Sequence, residues 1–107
     1  MTDPKIVLQD LAQRLRAAFP GKVKEVILHG SHLRGDARED SDYDFVIVWN
    51  DAITWQEKHL VNDVCYETDL HFGVVTHTLI ITSNEVTMLR GKQPIFQDAF
   101  KQGLRAA

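Results

Sequence analysis

Apolar positions fall into two alternating periods along the chain. Ile6, Leu8, Leu11, Leu15 and Phe19 recur at near-helical spacing, which predicts a first helix. Asp3 stands as its N-cap, Pro4 occupies the first helical position, and Pro20-Gly21 ends it. Val23 to Leu28, rich in β-branched residues, reads as a strand. Tyr43 to Trp49 reads as a second strand. It is apolar on both faces after Asp44, which predicts a central place in a sheet. Thr54 to Val64 reads as a helix opened by a capping box of Thr54 and Glu57. Thr68 to Val75 predicts a third strand. Thr78 to Thr82 fits either a strand extension or the approach to a helix. Thr82 and Glu85 form a second capping box, for a short helix toward Arg90 that Gly91 and Pro94 break. Ile95, Phe96, Ala99, Phe100 and Leu104 predict a closing helix. Helices and strands interleave in this order. The expected fold class is therefore α/β (α+β), a small mixed sheet backed by helices.

Composition narrows the picture only a little. A chain of 107 residues favours one domain over 1–107. A net charge of -3 gives no support for a surface that coats nucleic acid, so no direct nucleic-acid partner is expected. A nucleotide ligand stays open, because one site can be locally positive. Cys65 is the single cysteine; it cannot form an internal disulfide and reads as a small buried apolar residue. The first residues lack a basic start followed by an apolar stretch, and no apolar run reaches the roughly 20 residues that span a bilayer. The expectation is a cytoplasmic protein without a signal peptide or membrane span.

The chemistry concentrates between Gly30 and Asp44. Gly30-Ser31 and Arg34-Gly35 precede Ser41-Asp42-Tyr43-Asp44 at the head of the second strand. Residues two apart on a strand share a face, so the Asp42 and Asp44 carboxylates are expected side by side. Two ionised carboxylates about 4 Å apart repel by roughly 4 kcal/mol at an effective dielectric near 20. A shared proton, a basic partner or a bound cation can offset that cost. A hard divalent ion suits such an oxygen pair. Asp69, on the expected third strand, could complete a three-carboxylate set for two ions clamping an in-line displacement. A strand running into Gly30-Ser31 and then a helical turn aims backbone N–H groups at a phosphate. The Ser31 hydroxyl and the Arg34 guanidinium can add contacts.

Each part has a plainer explanation. Asp-x-Asp is common at strand ends, Gly-Ser is a frequent turn, and Arg34 and Asp69 alone could face water. The acid-rich run from Asp36 to Asp42 includes Glu39 and Asp40, which read as a solvated loop. The ordered combination is what carries the signal.

That combination, Leu28-His29-Gly30-Ser31-His32-Leu33-Arg34-Gly35 followed by Ser41-Asp42-Tyr43-Asp44-Phe45-Val46-Ile47, resembles the signature of the polymerase-beta-like nucleotidyltransferase superfamily. The small size is similar to its minimal branch. The resemblance is strong over roughly residues 20 to 75. It implies ATP as donor, a triphosphate held at Gly30 and Ser31, and Arg34 either structural or near phosphate. It also implies two Mg2+ ions on Asp42, Asp44 and Asp69, with Asp69 helping to deprotonate the acceptor hydroxyl. His29 reads as a packing variant and His71 as a core or rim histidine sharing a face with Asp69. Minimal members act as antitoxins beside a HEPN-domain toxin, some by moving AMP onto a tyrosine of that partner. The resemblance thus implies metal-dependent nucleotidyl transfer to a HEPN-domain partner. Two alternatives stand beside it: a non-catalytic antitoxin that occludes its partner, and a small-molecule transferase of the aminoglycoside type. Ile95, Phe96 and Phe100 offer a docking surface, or more simply pack on the domain's own core.

Overall fold

Strands β1 (Val23–His29) and β2 (Tyr43–Trp49) run antiparallel, and β2 pairs in parallel with β3 (Thr76–Thr82). A two-residue strand, β4 (Leu104–Arg105), adds antiparallel to the far side of β1, giving the order β3-β2-β1-β4. The computed structural model describes residues 3–35, 37–38 and 42–107. Asp36, Glu39, Asp40 and Ser41, expected in a solvated loop and in the signature, lie outside the described residues. The expected mixed sheet backed by helices is present, and β2 is central.

The sheet has two differently covered faces. Helices α1 (Pro4–Ala18) and α3 (Trp55–Phe72) cover one of them. There Leu8, Leu11, Leu15, Val61 and Cys65 pack with Leu28, Tyr43, Phe45, Ile47 and Trp49. Phe19 meets Trp49 edge-on with ring centroids 5.1 Å apart. Helix α4 (Pro94–Gln102) covers the other face, where Phe96 and Ala99 pack on Ile27, Val46, Val48 and Ile81. Each large apolar side chain so buried stabilises the fold by about 1.5–3 kcal/mol. Two layers of helix explain why β2 is apolar on both faces.

Local signals set most element ends. The Asp3 carboxylate accepts a hydrogen bond from the Lys5 N–H, 2.9 Å away, with Pro4 starting α1 as expected. In α1, Val7 and Ala12 join the buried stripe, while Ile6 stays exposed. The Thr54–Glu57 capping box is complete in both directions. Thr82 and Glu85 are hydrogen-bonded as their spacing suggests, but they open a single 3-10 turn, Glu85–Thr87, rather than an α-helix.

The strand expected at Thr68 to Val75 does not exist. Helix α3 continues through it to Phe72 and ends at Gly73, whose φ of 65° is the left-handed conformation that closes helices. Val61, Val64, Cys65 and Thr68 form its buried stripe at helical spacing. Thr68 is fully buried and tolerates that by donating to the Asp10 carboxylate at 3.0 Å. The closing helix is also shorter than expected, because Leu104 leaves it to pair with Leu28 in β4.

Candidate active site

Beyond His29 the chain turns sharply into a single helical turn, α2 (Ser31–Arg34). Gly30, with a φ of 79°, makes that turn. Gly35, at 80°, closes it. His32 is buried and stacks on Tyr43, with centroids 3.6 Å apart and an interplanar angle of 9°. That contact fixes α2 against the start of β2. The glycine-serine corner and the head of β2 are therefore locked together by packing.

Sheet register then fixes what faces Asp44. Asp44 shares the α4 face of the sheet with Val46 and Val48. Its cross-strand neighbour on β1 is His29, and its neighbour on β3 is His77. His77 Nδ1 lies 3.4 Å from Asp44 Oδ1. These residues open onto a cavity of about 740 Å3 lined also by Gly30, Ser31, Leu33 and Arg34, with Ile95, Asp98 and Gln102 of α4 opposite. That volume lies within the range of small-molecule and nucleotide sites. The wall combines backbone at a glycine, a hydroxyl, a guanidinium, two carboxylates and two imidazoles. Such a set can bind a polyphosphate and the cation that accompanies it.

The electrostatics of this wall follow from burial. Desolvation is the largest influence on His29 and pushes its imidazole below its ordinary value; His77 and Arg34 push the same way, and the Asp44 and Asp98 carboxylates pull against them. His29 is thus a wall of the cavity rather than a packing variant. Across the sheet, burial pushes the Cys65 thiol up to about 11, in keeping with an inert core residue.

Of the six residues singled out by sequence, Gly30, Ser31, Arg34 and Asp44 come together around this cavity. Asp42 lies one residue ahead of β2 and is exposed; it is not among the described residues that line the cavity. Asp69 is not on a strand. It sits in the last turn of α3, the helix that packs against the opposite face of the sheet from Asp44. Its carboxylate accepts a hydrogen bond from the Thr76 N–H at 2.9 Å, tying the helix end to the start of β3. The three-aspartate arrangement expected for two ions is therefore not formed. Among the described residues no three His, Cys, Asp or Glu side chains converge as a metal cage. At the head of β2 the described carboxylate that faces the cavity is Asp44, and a divalent cation there would take its other ligands from neighbouring side chains, water and phosphate.

His71 does not share a face with Asp69. It is exposed on the rim of a separate shallow groove with Lys5, Ile6, Gln9 and Phe72. Phe96 is buried in the core, while Ile95, 43% exposed, turns toward the cavity. Sequence reasoning missed His77, Asp98 and Gln102. For His77 the signal was the register of β3, hidden once the strand was placed too early. For α4 the signal was a second face at Ile95, Asp98 and Gln102, spaced three and four residues apart.

Residues 8–98 match the nucleotidyltransferase domain family. Two Methanocaldococcus jannaschii proteins carrying the name "putative protein adenylyltransferase" are similar to it. One is 32% identical over 73 residues, 68% of each chain. The other is 26% identical over 74 residues, 69% of this chain and 75% of the relative. Among solved structures, a mutant of the toxin-antitoxin MntA-HpeT matches 98% of this chain and 72% of its own, with a TM-score of 0.59 at 15% identity. A toxin-antitoxin with AMP-PNP matches 91% and 70%, with a TM-score of 0.56 at 14% identity. At such identities the structures speak for the fold, and the sequence matches speak for the family. The chain belongs to the nucleotidyltransferase family and is a nucleotidyltransferase.

Proposed function

We propose that this nucleotidyltransferase moves AMP from ATP onto a hydroxyl of a protein partner, a tyrosine of a HEPN-domain toxin, and so serves as an antitoxin. The observation that carries the reading is the placement of Asp44. Its carboxylate lies against the Gly30 backbone, in the cavity that Ser31 and Arg34 also line. In this reading Gly30 and Ser31 receive the triphosphate and Arg34 neutralises part of its charge. Asp42 and Asp44 would hold a divalent cation, which when bound offsets phosphate charge and polarises the reacting phosphorus. The acceptor hydroxyl gives its proton to water as its oxygen bonds to the α-phosphorus in line, and the bond to the leaving pyrophosphate breaks. A protein acceptor is favoured by the two relatives that carry the adenylyltransferase name. A toxin partner is favoured by the toxin-antitoxin structures that share the fold.

One observation favours a second reading, a binding module that occludes its partner. The position beside Asp44 on β3 carries His77 rather than a carboxylate. Label transfer from α-labelled ATP to a co-expressed partner separates the two. Labelling lost in Asp44→Asn supports transfer. Full neutralisation of the partner by Asp44→Ala, with no labelling by the wild type, would establish occlusion instead.

A further inference from the structure

His29, Asp44 and His77 form a row across three neighbouring strands on one sheet face. The Asp44–His77 end of that row has a distinctive spacing. Nδ1 and Oδ1 are 3.4 Å apart. Two ligands about 2.1 Å from one ion lie about 3.0 Å apart when adjacent in an octahedron, and about 3.4 Å apart in a tetrahedron. The two atoms stand about 0.4 Å wider than the octahedral separation, a gap that a small rotation of the exposed His77 side chain closes. The His77 side chain is 59% exposed, so an ion arriving with a nucleotide reaches it from solvent.

The chemical character of this pair differs from the all-carboxylate set anticipated from the sequence. Mg2+ is a hard ion that prefers oxygen and gives up its water reluctantly. An imidazole nitrogen suits first-row transition ions. We propose that His77 is a ligand, together with Asp44, for the divalent cation of this site, and that its nitrogen shifts the preference from Mg2+ toward Mn2+. The proposal rests on the nucleotidyl-transfer reading, because the triphosphate supplies ligands that the described side chains do not. His29, on the opposite flank of Asp44, is the comparison residue: also an imidazole, also in the cavity wall, but not paired at this distance.

The test is pulsed electron paramagnetic resonance of Mn2+ bound to the full chain with AMP-PNP. The expected spectrum shows coupling from one directly coordinated imidazole nitrogen. That coupling is lost in His77→Gln and kept in His29→Gln. In His77→Asp, the ratio of Mn2+ to Mg2+ affinity falls by about tenfold. Mn2+ binding with AMP-PNP but without nitrogen coupling overturns the proposal and leaves the transfer reading standing. Coupling that survives in His77→Gln overturns it equally. Failure of Mn2+ and AMP-PNP to bind together overturns both.

Discussion

The Asp44 carboxylate rests against the α-carbon of Gly30. A β-carbon at position 30 would overlap Asp44 Oδ2 and lie 3.1 Å from its Cγ, and the φ of 79° is one that side chains rarely adopt. Gly30 is thus needed twice, for the turn and for the space the carboxylate fills. Gly30→Ala should lower nucleotidyl transfer by at least about 100-fold, roughly 2.7 kcal/mol of barrier. It should also cost about 1–3 kcal/mol of stability. Transfer assays and urea unfolding on the same preparation read both, and near-normal transfer would count against a role for this corner.

Asp44 and Asp69 should separate cleanly on substitution. Asp44→Asn leaves the fold intact and removes transfer. Asp69→Ala removes the bond to the Thr76 N–H and costs about 1–3 kcal/mol of stability. Its folded fraction should still transfer at a rate within a few-fold of the wild type. Loss of transfer in a fully folded Asp69→Ala protein would restore Asp69 to the site.

Helix α4 is both core and cavity wall. Phe96 is 2% exposed and packs against the sheet, while Asp98 and Gln102 of the same helix line the cavity. Phe96→Ala should cost about 3–5 kcal/mol. Below its unfolding temperature it should also bind AMP-PNP more weakly, which calorimetry would detect. Unchanged affinity would mean that α4 does not shape the nucleotide site.

Cys65 gives a pH dependence with a defined sign. Burial raises the folded thiol from 9.0 to about 11, so the unfolded chain loses its proton first as pH rises. The contribution is complete below about pH 9 and fades as pH climbs toward 11. Two units of separation correspond to about 3 kcal/mol. Denaturant midpoints should fall across that window, and the fall should be smaller in Cys65→Val. Equal slopes in the two proteins would show that the thiol is not the cause.

The sequence by itself determined the elements with strong local signals. Pro4 and Asp3 start α1, Thr54 and Glu57 start α3, and β2 declares itself as a central strand because both its faces are apolar. It also marked Gly30, Ser31, Arg34 and Asp44, since a glycine corner followed by strand-borne acid is a local pattern. Only the tertiary structure decided where the third strand begins. Leu70, Phe72 and Val74 alternate as a strand would, but Val61, Val64 and Cys65 need a helical surface to meet Phe45 and Tyr43, and Thr68 needs it to reach Asp10. Packing outweighed local alternation, and the helix ran on to Gly73. That extension carried Asp69 to the other side of the sheet. It also moved the strand register so that His77, not an acid, stands beside Asp44. Register between strands distant in sequence is set by which side chains the two layers bury, and no local pattern encodes it.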